Sequence, residues 1–198
     1  MTIHPAIVAV FVLAASAGVA HAGDPRLAAF RSLCAGNPGN TSDAVAAAAE
    51  ADGWTLVTPD DDSNLRTLVD QTVEDGDTVI TYSKTLSNGE AFLLDKSYDD
   101  GAGGYFHTCG IYDFYGKKVA GREELEAWVG KPNAKHSNVS QEGAWLYYDP
   151  SKDVGGAWRV SLLYNPIYGS MEAIDGFAGL AFVSEFAPPD FKLYLDGQ

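Results

Sequence analysis

The spacing of apolar residues changes along the chain, and from Asp77 its period becomes two. Segments 77–86 and 90–98 flank the Asn88-Gly89 pair, which is a strong signal for a tight hairpin between two strands. A glycine-rich turn then leads into a third alternating segment, so the pattern predicts a meander of three antiparallel strands. Up to three more strands are expected further on, at 144–150, 157–166 and 176–186.

In the first part of the chain, after residue 23, apolar residues have the spacing of a helix. Asp24 and Pro25 are typical of an N-cap and a first helical position. Leu27, Phe30 and Cys34 then recur on one face of the helix that these residues begin. We therefore expect Cys34 to point toward the core.

Two more helices are expected. An alanine-rich helix spans 43–52, and we expect Gly53 to end it and Trp54 to pack back onto it. Trp54 is also expected to start a short strand at 54–57. A surface helix lies within 121–132, with Leu125, Trp128 and Val129 on its apolar side. Residues 65–73 fit either a short helix or an extended edge segment, and the pattern leaves both open.

The order of these elements indicates an α+β fold. We predict an antiparallel sheet of about five to six strands with helices packed on one face. A small, partly closed barrel with helical caps is the alternative. With neither an internal repeat nor a linker, residues 23–198 are expected to form a single domain.

Residues 1–22 have the features of an export signal. The stretch from Ala6 to Ala20 is uncharged and is followed by Ala22, which completes a small-x-small cleavage motif. The apolar stretch is short for a membrane span, which takes about 20 residues. We predict cleavage after Ala22 and a periplasmic or secreted protein without a stable membrane anchor.

The formal net charge is −14, from 27 acidic and 13 basic residues. Such a field repels polyanions, so nucleic acid is not an expected partner. Cationic ligands, basic peptides or divalent ions would be attracted, although acidity also serves simply to keep an exported protein soluble.

The chain has two cysteines, Cys34 and Cys109. Cys109 lies on a predicted strand face with His107, and both cysteines are expected to point inward. An exported chain matures where disulfides persist, so a Cys34–Cys109 disulfide is predicted. The alternatives are a thiol nucleophile with His107 as its base, which the acidic surroundings disfavour, and a metal site, for which the ligands are too widely separated.

Recognised catalytic motifs are absent from the sequence, and we assign no catalytic residue, metal or cofactor. Asp60, Asp62 and Asn64 match the first ligand positions of a calcium loop. Leu65 replaces its glycine and Gln71 replaces its final glutamate, so a turn in which Asp62 or Ser63 caps a helix is the better interpretation.

Aromatic residues are concentrated in the C-terminal strands. Alternation places Trp158, Val160, Leu162 and Tyr164 on one face, which is typical of a core. The opposite face could then carry a groove for a small ligand, a sugar ring or a partner strand.

The export signal, the helix ending in Cys34, the Gly53-Trp54 pair and Cys109 in a strand together resemble small uncharacterised exported proteins of Gram-negative bacteria. The resemblance covers mostly residues 25–130 and implies location and a disulfide, but no site residue. The function expected is binding of an unknown small ligand or protein partner, or a structural role. The alternatives are an exported hydrolase with a site formed by His107, Asp113 and His136, and a metal-responsive protein using the acidic loops.

Overall fold

The structure is a computed structural model that describes residues 23–35, 41–61, 63–99, 101, 104–116, 119–136, 143–148, 150, 154–165 and 177–187. The helices are α1 (Pro25–Phe30), which continues into a π-helical turn (Arg31–Ala35), α2 (Ser42–Ala51), α3 (Asn64–Thr72) and α4 (Arg122–Val129). The strands are β1 (Thr55–Leu56), β2 (Thr78–Leu86), β3 (Gly89–Asp99), β4 (Tyr105–Asp113), β5 (Ala134–His136), β6 (Gly143–Tyr148), β7 (Arg159–Asn165) and β8 (Gly179–Phe186). In this described part of the chain, no helix is long and apolar enough to cross a membrane.

All eight strands form one antiparallel sheet in the order β1-β2-β3-β4-β8-β7-β6-β5. Two meanders therefore meet where β4 pairs with β8. Gly179 begins β8 at φ +127°, and a Cβ there would lie 2.1 Å from the carbonyl oxygen of Asp113. Only glycine lets the two backbones approach this closely at the end of β4.

The α+β class and the β2-β3-β4 meander agree with the sequence-based expectation, but the expected number of five to six strands is wrong. The two outermost strands, Thr55–Leu56 and Ala134–His136, have only two and three residues. The first of them lies in the short strand expected at 54–57, whereas β5 was not expected from the sequence, because a period of two is not visible over three residues.

Both faces of the sheet are buried, and they carry separate apolar clusters. Face I packs against α1, α2 and α4, whereas face II packs against α3. Placing all helices on one face was therefore wrong. Adjacent residues such as Leu93 and Leu94, or Leu162 and Leu163, belong to opposite clusters, as the alternation of side chains along a strand requires.

Residues 64–72 are helical, which settles the choice left open by the sequence. Ser63 caps this helix, and its Oγ accepts a hydrogen bond from the backbone N–H of Arg66 at 3.0 Å. Leu65 and Leu68 are the buried residues of α3 and pack on face II. The predicted helical turn is thus confirmed at Ser63, while Asp62 lies outside the described residues.

Cys34 and Cys109 form the predicted disulfide, with an S–S distance of 2.04 Å and a Cα–Cα distance of 5.2 Å. Both cysteines are fully buried on face I. Ser184 lies opposite Cys109 on β8, and its Oγ is a donor at 3.3 Å from the carbonyl oxygens of both cysteines. The disulfide therefore joins the end of the first helical segment to the centre of the sheet.

A buried ion cluster fixes the other end of α1. The Arg26 guanidinium donates to Asp24 and to Asp113, with N–O distances of 2.6 Å to each carboxylate. Asp24 also caps α1 by accepting the backbone N–H of Arg26 at 2.9 Å. Burial alone would raise the pKa of Asp24, but the hydrogen bonds and charge of Arg26 outweigh burial and lower that pKa.

Replacing Arg26 by Gln should destabilise the protein by about 3–5 kcal/mol, because two buried carboxylates lose their cation. The variant should recover part of this loss in acid, where protonation removes the repulsion between the carboxylates. In the parent protein, the contribution of the lowered Asp24 pKa is present above the usual carboxyl range and is lost as the pH falls below it. Urea unfolding between pH 3 and pH 7 measures both effects.

Arg31→Gln is the matched control, since Arg31 is half-exposed and lies 4.0 Å from the Glu124 carboxylate. We expect its effect on the free energy of unfolding to stay below about 1 kcal/mol. Equal losses for the two variants would contradict the role assigned to the buried cluster.

Replacing both cysteines by serine should also lower stability, by at most about 4 kcal/mol in the chain-entropy model, because the unfolded chain regains the freedom of a long loop. The measurement compares the unfolding midpoint of the variant with those of the oxidised and reduced parent. An unchanged midpoint on reduction would show that the disulfide does not hold the helix to the sheet.

Candidate ligand-binding cleft

The structure does not assemble the hydrolase site considered from the sequence. His107 and Asp113 are six residues apart on the same face of β4, which separates them by about 20 Å. Asp113 is held by Arg26, and His107 is 1% exposed. His136 lies on β5, at the edge of the sheet. These residues do not form a common accessible site.

His107 instead pairs with Asp95 inside face I. Its Nε2 lies 2.5 Å from Asp95 Oδ1, and its ring stacks with those of Tyr105 and Phe186 at centroid distances of 6.1 and 5.5 Å. Nδ1 of His107 and Oδ2 of Asp95 are buried without a hydrogen-bond partner. With both side chains closed off from solvent, the pair is part of the core.

Cys109 lies directly opposite Asp95 in the sheet but is oxidised in the disulfide. A thiolate with His107 as its base is therefore not formed in this structure. Among the described residues, no group of three or more histidine, cysteine, aspartate or glutamate side chains has the geometry of a metal site.

A cleft of about 660 Å³ lies on face II, between the sheet and α3. The strand registers arrange this face of the sheet in rows that run across β3, β4, β8 and β7, one polar and two largely apolar. The polar row is Lys96, Thr108, Glu185 and Arg159; the next row is Leu94, Gly110, Val183 and Ser161; the third is Phe92, Tyr112, Ala181 and Leu163. All of these residues line the cleft except Gly110, Phe92 and Ala181.

The far end of the cleft is closed by aromatic and aliphatic side chains. Phe177 is 1% exposed and packs against Tyr112 at a ring centroid distance of 5.3 Å. Its carbonyl oxygen accepts a hydrogen bond from Asn165 Nδ2 at 3.1 Å, which fixes it beside β7. Leu146 and Ala144 of β6 complete the apolar wall.

Gly110 has a specific role in the floor. A Cβ at this position would lie 2.6 Å from the ring of Tyr112, two residues along the same strand face. The missing side chain lets the Tyr112 ring fold along β4 and line the cleft. A glycine inside a strand commonly marks such a close approach.

One end of α3 is tied to the polar row. Lys96 Nζ donates to the carbonyl oxygen of Thr72 at 2.8 Å and lies 3.4 Å from Asp77 Oδ2. A cation here satisfies a terminal carbonyl of the helix and favours its negative end. This contact helps to set the distance between α3 and the sheet, and hence the width of the cleft.

The other cation of the polar row is also paired. The Arg159 guanidinium donates to the Glu185 carboxylate across β7 and β8. Burial alone would lower the pKa of Arg159, but the hydrogen bond and charge of Glu185, with a contribution from Tyr148, raise it. Arg159 therefore stays protonated, and the polar row combines charges with the hydroxyl groups of Thr108 and nearby Ser161.

The expected core face of β7 is confirmed for Val160, Leu162 and Tyr164, which are buried on face I. It is wrong for Trp158, which precedes β7, is half-buried and packs against Tyr148 at a ring centroid distance of 5.7 Å. The cleft lies on the opposite face, where the sequence suggested a groove. About half of its described lining residues are polar or charged, and most of the others are aliphatic. Its described aromatic residues, Tyr112 and Phe177, are not among the tyrosines and tryptophans of the C-terminal strands that motivated the suggestion.

Sequence reasoning did not identify the polar row, because its four residues become neighbours only through strand pairing. Two signals were present in the sequence. Gly110 interrupts a strand, and Lys96, Arg159 and Glu185 carry charges within or beside strongly apolar strands. Either signal is typical of a position that faces a cavity or a close contact.

The chain matches no protein-family model, and neither the curated proteins nor the solved structures include a significant match. The resemblance to exported proteins of Gram-negative bacteria thus stays a prediction.

A double replacement tests whether His107 and Asp95 are purely structural. His107→Phe alone should cost about 3–5 kcal/mol, because it leaves the Asp95 carboxylate buried without a partner. Adding Asp95→Ala should recover much of this loss, because no buried charge then remains. Equilibrium unfolding of both single variants and the double variant measures the coupling. A double variant as unstable as the sum of the two single changes would contradict this interpretation.

Proposed function

We propose that this protein is an exported, periplasmic or secreted binding protein whose cleft on face II takes a small amphipathic molecule. The observation that carries the proposal is the combination, in one cavity of about 660 Å³, of apolar side chains with a comparable number of polar and charged ones, four of which form the polar row. Ligand sites in proteins are mostly apolar concavities of this size with a few polar groups that fix orientation.

The arrangement favours a ligand with one apolar part and one polar part. Its apolar part would lie over Leu94, Val183 and Leu163, and its polar part near Thr108 and the charged pairs of the first row. Burial of an apolar ligand surface contributes about 25 cal/mol per Å² before the costs of association. The polar row then determines the orientation of the ligand in the cleft.

Binding suits the chemistry of this site better than hydrolysis. The described lining of the cleft contains neither cysteine nor histidine, and the buried histidine, His107, is on the other face. A binding role is therefore preferred over the exported hydrolase, which had been the alternative.

The uncharged fluorophore N-phenylnaphthylamine tests the proposal, because its emission rises in apolar sites. We expect saturable binding to the purified protein and loss of at least about tenfold in affinity in Thr108→Trp, which fills the part of the cleft beside the polar row. Gln71→Trp on α3 obstructs the same cleft from an exposed helical position, which keeps the fold intact.

Thr85→Trp is the matched control, since Thr85 is exposed on β2 and does not line the cleft. It should bind the fluorophore like the parent protein. If both cleft variants keep parental affinity and parental unfolding midpoints, the fluorophore binds elsewhere and the proposed site is wrong.

A further inference from the structure

A second hollow, which we call the annex, adjoins the cleft beyond the polar row. It has a volume of about 410 Å³ and shares Glu74, Lys96 and Thr108 with the cleft. Tyr98, Phe106, Asp75 and Asp77 complete its described lining. The polar row therefore stands between two hollows, and a ligand lying along face II could occupy both.

The annex offers aromatic surface. Tyr98 and Phe106 are directly opposite each other on β3 and β4, with ring centroids 6.4 Å apart. Tyr98 is 40% exposed, which is unusual for a large apolar side chain in this protein. Aromatic faces attract cations, and most strongly where the cation has already lost part of its water.

The charges of the combined cavity are unbalanced. Lys96 is matched by Asp77 at 3.4 Å, and Arg159 by Glu185. This leaves the exposed carboxylates of Glu74 and Asp75, for which the described part of the chain provides no ion pair. An excess of negative charge therefore lies beside the aromatic rings, within a protein whose net charge is −14.

We propose that the ligand is a cationic amphiphile, with its apolar tail in the cleft and an ammonium or guanidinium group in the annex. The inference rests on the proposed function and adds the charge of the ligand. Leu94 and Tyr98 are four residues apart on one strand face, about 13 Å, so a medium-length alkyl or aryl tail spans the polar row. The cation then lies against Tyr98, close to Glu74 and Asp75.

An anionic headgroup fits this cavity less well. To bind Lys96 or Arg159, it would have to compete with Asp77 or Glu185, which already pair with these cations. It would also lie near the unpaired Glu74 and Asp75 carboxylates. A cationic group can instead bind the Glu74 and Asp75 carboxylates without displacing an ion pair of the described residues. The negative net charge of the protein also favours its approach.

The test uses three probes with unbranched ten-carbon chains and one polar end: decyltrimethylammonium, decanoate and 1,2-decanediol, below their micelle concentrations. Each is titrated against the protein loaded with N-phenylnaphthylamine. We expect the cation to displace the fluorophore at a concentration about tenfold or more below that of the anion, with the neutral probe between them. Equal displacement by the cation and the anion, or a preference for the anion, would overturn the inference while leaving the proposed function intact.

The variant Glu74→Gln/Asp75→Asn should lose most of the preference for the cation over the anion and over the neutral probe. Its matched control is Asp60→Asn/Asp61→Asn, which removes two exposed carboxylates that line neither the cleft nor the annex. If the two double variants reduce the preference equally, the overall charge of the protein is responsible and the annex is not the cation site. Failure of the parent protein to bind the fluorophore would overturn both this inference and the proposed function.

Discussion

The structure depends on one constraint: a single eight-stranded sheet has to bury two apolar faces. The central strands carry apolar residues at successive positions, so neither face can be left to solvent. On face I, α1, α2 and α4 meet this demand, and the disulfide and the Arg26 cluster hold α1 in place. On face II, α3 is a helix of nine residues, Asn64–Thr72, and it covers only part of the surface. The cleft lies on this face, between α3 and the sheet.

The same constraint accounts for the different roles of charged residues on the two faces. On face I, Arg26, Asp24 and Asp113 satisfy one another, and His107 pairs with Asp95, so these groups serve stability. On face II, the polar row lies along a cavity, where Lys96 pairs with Asp77 and also anchors α3 by donating to the carbonyl oxygen of Thr72. Carboxylates beyond that row keep their charge available. The sheet thus separates a structural set of polar groups from a set that can meet a ligand.

Local pattern in the sequence was sufficient for the β2-β3-β4 meander, the first helical segment and the disulfide, because each shows clear periodicity or a defined chemical context. It was not sufficient for the insertion of β8 between β4 and β7, since strand order is set by tertiary pairing. Leu65 and Leu68 identify the apolar side of α3 but not the side of the sheet on which it packs. The candidate site depends on both of these long-range features. For this reason, the sequence could suggest a groove on the face opposite the β7 core residues, but not which side chains line it.

The central claim is that ligand binding belongs to face II, and methyl NMR with a bound probe tests it most directly. Adjacent residues provide the contrast: Leu94 and Leu163 face the cleft, whereas Leu93 and Leu162 lie in the core of face I. With N-phenylnaphthylamine bound, we predict intermolecular NOEs and the largest shift changes at Leu94, Leu163 and Val183. The methyl groups of Leu93 and Leu162 should show no NOE to the probe. NOEs from the probe to Leu93 and Leu162, without any to Leu94 and Leu163, would contradict the account.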